Sequence, residues 1–455
     1  MIRSEGMNKL ECLRKIVSNL AISDPVTSPQ GPEWLRSLGF FVSWLKLETQ
    51  QAYGIKLGGA QQFSELVDQM QTESRQYERG ATFKTFSEAV AKAIASEFLG
   101  RKPDTITDAD VSLVEGKVAA WFQSTALPRR QYVACTIIPD RCKPFEVGPV
   151  SFLPWDDFVQ RERPVVGQIF DHAFEYLHRS MLNDNAGWMA VLDVDGCEKE
   201  RSSEIADLTV DVALVGLQLV VPHHYSERMA RLAARSLPRN RETVSLVGGA
   251  VSTSGSNQQP GLGMSGGAFE GLLIGSAKVL ESVGRRVAAY LSDSSGLPNL
   301  QQAWCDAAYW FHEGLAEPLD TIAVPKLETA IEVLTRAENT RGSERRLRQA
   351  MKAFFGLEPD QTINPESATT VREFVKGFVT DRSRILHGTR STLRTNLRTS
   401  RASLTAVVRQ LLLEYTLALD GFSADSAALD RMDAFLAWVE AQRAARATTT
   451  DEGTP

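Results

Sequence analysis

Apolar positions recur at helical spacing through the first 128 residues. Phe83, Phe86, Val90, Ile94 and Phe98 lie three or four residues apart and would share one helix face. Two similar stripes are Leu10, Leu13, Ile16, Val17 and Leu20, and Val114, Val118, Trp121 and Phe122. Stripes with this period are typical of amphipathic helices packed on a core. The pattern predicts a helical N-terminal region over residues 1–128.

Short apolar and β-branched runs replace this period after Leu127-Pro128. The predicted strands are 132–138, 147–153, 188–194 and 244–251, and the predicted helices are 166–181 and 204–221. Residues 252–267 are rich in Gly, Ser and Gln and predict a flexible loop. Regular structure resumes at 272–290, and the stretch 292–298 (SDSSGLP) marks a domain boundary. We expect an α+β middle region over residues 129–295.

Helical periodicity returns after Pro298 and continues almost to the end of the chain. The predicted helices are 299–316, 320–338, 343–355, 370–387, 400–421 and 425–441. We expect an all-α helical bundle over residues 296–442, followed by a flexible tail over 443–455. The whole chain is predicted to be a multidomain α+β protein of 455 residues.

Charge is distributed unevenly along this acidic chain. The formal net charge is -6 and the pI is about 5.7, which excludes a chain that coats nucleic acid non-specifically. From Arg341 to Arg409, 14 Lys or Arg stand against 6 Asp or Glu, a local excess of 14 - 6 = +8. This segment either contacts a local anionic partner or forms a solvated helix face.

The cysteines and the hydropathy of the chain predict the cellular compartment of the protein. The five cysteines are scattered without a CxxC pair, which is typical of reduced thiols in a cytosol. We assign no metal site and no cofactor. The N-terminal segment lacks the apolar core of a signal peptide, and the longest apolar run, 208–221, is too short to span a bilayer. We therefore expect a cytoplasmic protein with no membrane partner.

One predicted helix places a charge among its apolar positions. Thr370 and Glu373 form a capping box at its start. Arg382 falls on the stripe that runs from Val371 to Leu386, where an unpaired charge would be costly. Gly388 follows as a C-terminal cap, so His387 lies in the last turn.

Arg382 and His387 are residue types suited to cleaving RNA without a metal. The negative end of the helix dipole favours a protonated imidazole at His387, and histidine serves as a general acid and base near neutrality. An arginine can hold and neutralise a phosphate while a 2′-hydroxyl attacks it.

The run from Asp381 to Gly388, DRSRILHG, resembles the RSxIxHG signature of the Apea-like HEPN family. Four residues separate Arg382 from His387, as in the Arg and His hallmark of HEPN domains, and Ser383 matches the polar residue after the Arg. Residues 325–334 (PKLETAIEVL) resemble an upstream helix of the family, and the resemblance covers roughly residues 300–420.

The resemblance implies a bundle of four or five helices that acts as a metal-independent endoribonuclease in a toxin or an antiphage defence system. Two copies would bring their Arg and His residues to one cleft, so a homodimer and an RNA substrate are expected. His387 would be the general acid and base, Arg382 would bind the scissile phosphate, and Ser383 would orient it. The residues expected to bind RNA are Arg384, Arg390, Arg394 and Arg398, and the supporting acids are Glu328 and Glu332.

Two alternatives and one geometric constraint remain open at this point. A non-catalytic module of the same fold would bind a nucleotide or a protein partner, with His387 capping its helix and Arg382 paired to Glu328 or Glu332. A hydrolase could use Ser265 in the G-x-S-x-G string at 263–267, although that motif requires a strand directly before it. Finally, five residues of helix turn by about 140°, so Arg382 and His387 share a face only through unwinding or a second copy.

Overall fold

A computed structural model of the chain provides the structure. It describes residues 8–22, 40–46, 51–166, 171–183, 187–222, 230–231, 240–257, 261–292, 296–337, 340–364, 369–425 and 428–451. The chain forms two compact units: Met1–Arg130 with Asp193–Ile205, and Gln131–Leu192 with Ala206–Pro455. The α+β middle region and the C-terminal helices therefore lie mostly in the same unit.

The smaller unit combines the expected helices with a small sheet. Its elements are α1 (Lys9–Val17), β1 (Leu20–Ile22), β2 (Phe40–Lys46), β3 (Gln51–Lys56), α2 (Ala60–Glu73), α3 (Arg75–Gly80), α4 (Phe83–Phe98) and α5 (Asp108–Thr125). The stripe on α4 is buried from Phe86 to Phe98, whereas Phe83 is exposed. The expectation of a mostly helical region missed the antiparallel sheet β1-β3-β2. The two longer strands, FFVSWLK and QAYGIK, do not alternate strictly between apolar and polar residues, so their sequences carry no clear strand signal.

The larger unit begins with a five-stranded sheet and its covering helices. The elements are β4 (Arg129–Thr136), β5 (Phe145–Val147), β6 (Val150–Pro154), α6 (Trp155–Val166), α7 (Asp171–Asn183), β7 (Trp188–Val194), α8 (Lys199–Val220), β8 (Ala230–Arg231), β9 (Asn240–Val247), β10 (Ala250–Asn257), α9 (Gly266–Gly275) and α10 (Ala277–Ser292). The strand order is β5-β6-β7-β4-β8. Gly148, at φ +60°, turns β5 into β6 and packs so closely on Gly284 of α10 that neither position has room for a Cβ atom.

Two expectations for the middle region were wrong. The single strand predicted at 244–251 is the hairpin β9–β10, which turns at Gly248 and Gly249 with φ +58° and +84°. The loop expected at 252–267 is a strand up to Asn257, and α9 starts at Gly266. β10 is composed mainly of Ser, Thr and Gly, so only its pairing with β9 makes it a strand.

Five of the six C-terminal helices start within three residues of the predicted positions, and the last starts at Met432, seven residues after the predicted 425. The six helices are α11 (Pro298–Ala316), α12 (Asp320–Thr335), α13 (Thr340–Phe355), α14 (Val371–Leu386), α15 (Arg398–Ser423) and α16 (Met432–Asp451). Two short strands between α13 and α14, β11 (Thr362–Asn364) and β12 (Thr369–Thr370), were not predicted, and α16 runs past the boundary expected at 442. The multidomain α+β fold with a C-terminal helical region is confirmed.

The core of the bundle contains apolar side chains and large aromatic residues whose polar atoms form hydrogen bonds. Trp304 is fully buried and donates its indole N–H to the Leu412 carbonyl at 3.0 Å, and the Tyr415 hydroxyl donates to the Leu300 carbonyl at 3.1 Å. Among the described residues, α15 is the one helix long and apolar enough to cross a membrane. Helices in protein cores often have the same length and composition. α15 buries Leu404, Val408 and seven other residues in the bundle.

Candidate active site

The helix α14 is fixed at its start by local hydrogen bonds and along its length by burial. The Thr370 hydroxyl accepts the Glu373 N–H at 3.2 Å, and the Glu373 carboxylate accepts the Thr370 N–H at 3.0 Å, which confirms the capping box. The stripe is buried at Val371, Val375, Phe378, Val379 and Ile385. Leu386, expected on the stripe, is 61% exposed. Consecutive helix residues point about 100° apart, so Leu386 points outward when Ile385 is buried.

The last turn of α14 holds His387 at the surface. The His387 N–H donates to the Ser383 carbonyl at 3.0 Å, and His387 is the C-cap residue with an exposed side chain. Gly388 follows at φ +69°, the left-handed conformation that ends many helices and favours glycine. The predicted helix end is thereby confirmed.

Arg382 points from α14 toward two acids on α12. Its Nη1 lies 2.6 Å from Oε1 of Glu332, and both side chains are largely covered, at 23% and 14% exposure. The Ser343 hydroxyl of α13 donates to the same Glu332 oxygen. The arginine on the apolar stripe is therefore paired, and its partner is one of the two acids expected from the sequence.

Glu328, one helical turn before Glu332, is a buried acid without a hydrogen bond. The residue is 2% exposed, and neither carboxyl oxygen has a hydrogen-bond partner among the described residues. Burial raises the pKa of Glu328 to about 8, while nearby Arg382 lowers it and the charges of Glu332 and Asp381 raise it further. The buried Nε of Arg382 also has no partner in the described part of the chain. These atoms form a buried polar cluster whose hydrogen bonds are incomplete.

Arg382 and His387 lie on different faces of α14. The helix stays regular through Leu386, so the five residue steps from Arg382 to His387 turn the side-chain direction by about 140°. Arg382 accordingly contacts α12, whereas His387 is exposed. Unwinding of the helix end, one of the two routes to a shared face, does not occur, so one chain alone does not bring the two groups together.

The basic segment after His387, which lies between the helices predicted at 370–387 and 400–421, forms no helix. Residues 389–397 form turns, and α15 starts only at Arg398. Arg390 folds back to pair with Asp381, and Arg401 reaches Asp320 at 3.1 Å. Arg384, Arg394 and Arg398 are exposed. The predicted RNA-binding arginines therefore form a scattered surface around the end of α14, and Arg390 is already engaged in an ion pair.

Apolar side chains are exposed beside the candidate histidine. Leu386 is 61% exposed and Leu393 is 86% exposed. The Thr321 hydroxyl donates to the Thr392 carbonyl at 2.7 Å, which holds the segment containing Leu393 against the start of α12. A surface with exposed leucines and arginines around one histidine has the composition of a protein interface.

Other residues that could carry chemistry serve as a helix cap or pack in the core. The Ser265 hydroxyl caps α9 by accepting the Ala268 N–H at 3.3 Å, and irregular backbone precedes it where a nucleophile elbow requires a strand. Trp304 and Phe311 are buried in the core, whereas Tyr309 and Trp310 are partly exposed. His223 and His224, adjacent histidines to which the sequence gives no metal-binding role, lie outside the described residues. Among the described residues, no group of three or more His, Cys, Asp or Glu could hold a metal ion.

Two residues that form hydrogen bonds or ion pairs around Arg382 and Arg390 were not assigned a role from the sequence. Ser343 binds Glu332, and Asp381 binds both Arg390 and, at 3.5 Å, the Ser400 hydroxyl. Asp381 is adjacent to Arg382 in the chain, which was an available signal. Ser343 carries no local signal, because only the packing of α13 on α12 brings it to the acid.

In comparisons with known proteins, no family model, no curated protein and no solved structure matches this chain.

Proposed function

We propose that this protein is a metal-independent endoribonuclease of HEPN type that cleaves RNA through Arg382 and His387. The observation that carries the proposal is the exposed His387, held by a capped helix end one turn beyond an arginine that acidic neighbours position. Because the two side chains lie on different faces of α14, the active cleft is formed by two copies, each contributing one of the two groups. RNA and a second copy of the chain are the partners.

The reaction needs proton transfer and charge stabilisation only. The neutral His387 imidazole takes the proton of a ribose 2′-hydroxyl, and the 2′ oxygen attacks the adjacent phosphorus. The bond from phosphorus to the 5′ oxygen breaks, and that oxygen takes a proton from a protonated imidazole. The guanidinium of Arg382 neutralises the charge on the phosphate oxygens. The products carry a 2′,3′-cyclic phosphate and a 5′-hydroxyl, so atoms and electrons balance without water or an oxidant.

The environment of Arg382 fits a group that exchanges partners. One carboxylate, Glu332, holds it at 2.6 Å, and its Nε has no partner among the described residues. A phosphate would displace Glu332 from the guanidinium. The partial burial of Arg382 would strengthen the contact between its guanidinium and the phosphate. Ser383, half-buried beside Arg382, would orient the phosphate.

The surface around His387 fits a second copy and a polyanion. Leu386 and Leu393 supply apolar area for contact between copies, and the exposed Arg384, Arg394 and Arg398 supply charge for the RNA backbone. The role implied by the resemblance is that of a toxin or antiphage effector in the cytoplasm. In that role the residues before 296 sense a trigger or restrain the nuclease.

The test is cleavage of total cellular RNA by purified full-length protein with EDTA present. We expect wild type to leave 2′,3′-cyclic phosphate ends, and His387→Ala and Arg382→Ala to lose at least about 100-fold in rate. Arg372→Ala is the matched control, because this exposed arginine at the other end of α14 pairs only with Asp360 in the described structure. Equal rates for wild type and His387→Ala would refute the proposal.

One observation favours a second candidate, a non-catalytic module that binds a nucleotide or a protein. The ion pair between Arg382 and Glu332 is complete within one chain and stabilises the bundle whether or not RNA is cleaved. This candidate predicts RNA or nucleotide binding without turnover. It also predicts that His387→Ala leaves every measured activity unchanged.

A further inference from the structure

The hairpin of β9 and β10 exposes apolar side chains on one of its two faces. In the register of the strands, Val251 lies opposite Leu246 and Thr253 lies opposite Val244, so these four side chains share a face. Val244, Leu246 and Val251 are 73%, 74% and 66% exposed, and Thr253 is also exposed. Single apolar residues are common on protein surfaces, but a group of them across two strands indicates a contact surface.

Within the described residues, β9 and β10 pair only with each other. Their turn suits a hairpin, because Gly248 and Gly249 both have the positive φ that a two-residue turn of this kind requires. A hairpin of two strands is nevertheless marginally stable at best in water, whereas three or more strands with an apolar face are stable. Additional strands would therefore stabilise this part of the chain.

The outer edge of β10 lacks the features that keep the edges of sheets from pairing. Edge strands of natural proteins are protected by charged residues, prolines or β-bulges. β10 spans eight residues, and its pairs with β9 run without a shift of register. No Asp, Glu, Lys, Arg or Pro occurs from Thr243 to Asn257. The charged residues of the hairpin, Arg241 and Glu242, belong to β9, so the unprotected edge is that of β10.

Alternate residues of β10 direct their backbone groups away from β9. In a two-residue hairpin the residues that flank the turn form a hydrogen-bonded pair, here Val247 and Ala250. Hydrogen-bonded and non-bonded pairs alternate from there, so Val251, Thr253 and Gly255 occupy non-bonded positions. Their N–H and C=O groups point to the open edge. A strand added at this edge has to place its own donors and acceptors opposite these three residues.

We propose that β10 pairs antiparallel with β10 of a second copy of the chain, which joins the two hairpins into one four-stranded sheet. With Thr253 opposite its own counterpart, Val251 of each copy lies opposite Gly255 of the other, so the outward backbone groups of these residues meet complementary groups. This register places the apolar faces of both hairpins on the same side of the sheet. The sheet then has the number of strands and the apolar face that stability requires.

The composition of the edge favours an identical strand over another partner. A two-fold axis brings like residues together, and two uncharged strands meet there without charge repulsion. No charge between residues 243 and 257 would select an acidic or a basic partner. The pairing also leaves β9, with its charged residues at 241 and 242, at both outer edges, so the sheet closes at two copies.

The hairpin interface is distinct from the surface around His387 and does not depend on RNA cleavage. Under the proposed function, the chain carries two surfaces for association with itself, one on the bundle and one on the hairpin. Two separate two-fold interfaces in one chain build assemblies larger than a dimer. Loss of the hairpin interface is then expected to halve the mass of the assembly and to leave the cleft at His387 intact.

Disulfide cross-linking tests the register directly. Opposite Cα atoms of a hydrogen-bonded antiparallel pair lie about 5.5 Å apart, which suits a disulfide. Because the five native cysteines are buried, Thr253→Cys adds an exposed thiol to a chain whose own thiols are covered. We expect most of this variant to form a covalent dimer when the native protein is treated with oxidised glutathione. Val244→Cys is the matched control, because residue 244 lies opposite Thr253 but would be three strand spacings, about 14 Å, from its counterpart.

A proline at the edge tests whether this pairing holds the copies together. Thr253→Pro removes an outward N–H without removing a hydrogen bond to β9, so we expect half the wild-type mass in sedimentation. Val244→Pro is the matched control, because it makes the same change on the outer edge of β9 and should keep the wild-type mass. Halved masses in both variants would show damage to the hairpin and would contradict pairing through β10.

Two further outcomes would overturn the inference: no covalent dimer of Thr253→Cys, or the wild-type mass in Thr253→Pro. An edge occupied by a different protein would give both of these results. RNA cleavage separates the inference from the proposed function. If Thr253→Cys forms the covalent dimer while wild type cleaves no RNA, the hairpin interface stands and the nuclease proposal fails. If cleavage depends on His387 while Thr253→Cys forms no covalent dimer, the nuclease proposal stands and the hairpin interface fails.

Discussion

At the scale of single residues, the most informative feature is a charge placed where an apolar side chain was expected. Arg382 interrupts the stripe of α14, and burial requires a partner for it. The sequence narrowed that partner to Glu328 or Glu332, and the structure places it on Glu332 at 2.6 Å. The choice between them could not be read from the sequence, because the two acids lie one turn apart on the same helix and only tertiary packing separates them.

Glu328, the acid that does not pair with Arg382, should control how the free energy of unfolding depends on pH. The pKa of Glu328 is raised from 4.5 to about 8, so the folded state keeps a proton that the unfolded chain has lost above pH 4.5. Its contribution to stability is complete below pH 4.5 and is lost as the pH rises toward 8. We expect Glu328→Gln to become more stable relative to wild type over this interval, by up to about 4 kcal/mol at pH 8.

Urea unfolding of wild type and Glu328→Gln between pH 4.5 and 8 measures this difference. Glu373→Gln is a control whose difference from wild type should stay constant over this interval, since hydrogen bonds from Thr370 lower the pKa of Glu373. Its stabilising effect in wild type is present above pH 4.5 and is lost as the pH falls below it. Parallel curves for wild type and Glu328→Gln would show that Glu328 is ionised throughout.

At the scale of secondary structure, predictions succeeded where local signals were strong. The capping box at Thr370 and the glycine at 388 gave both ends of α14, and helical periodicity gave the bundle. The segment 389–397, which lies between two predicted helices, forms turns, although its arginine spacing would also fit a helix. This segment is rich in Ser, Thr and Asn, whose side chains compete for backbone hydrogen bonds; the Asn396 side chain, for example, accepts the Arg398 N–H at 3.0 Å.

The end of α14 yields a prediction with an internal control on the same helix. Gly388 has φ +69° and no neighbour near a new Cβ, so Gly388→Ala should cost about 1 kcal/mol through backbone strain alone. Gly377 lies within α14 with equally open space, so Gly377→Ala should stabilise by about 0.5–1 kcal/mol. Denaturant unfolding of both variants tests this, and a stabilising Gly388→Ala would contradict the left-handed helix end.

At the scale of the whole molecule, the chain builds two compact units, and the candidate site lies in the larger one. Composition and periodicity predicted the α+β class and the C-terminal helices. They missed the sheet β1-β3-β2, in which the pairing of β1 with β3 joins residues distant in sequence, such as Leu20 and Ile55, whereas β2 and β3 are consecutive strands. Under the proposed function, the complete cleft is likewise a property of two copies, because Arg382 and His387 are five residues apart yet lie on different faces of α14.

The most direct test of the central claim is to mix two inactive variants, Arg382→Ala and His387→Ala, and measure RNA cleavage with EDTA present. If each cleft takes its arginine from one copy and its histidine from the other, random pairing gives half mixed dimers, each with one intact cleft. The account predicts recovery of about a quarter of wild-type activity for a two-fold symmetric dimer. No recovery, with wild type active and each variant inactive alone, would contradict a cleft shared between two copies.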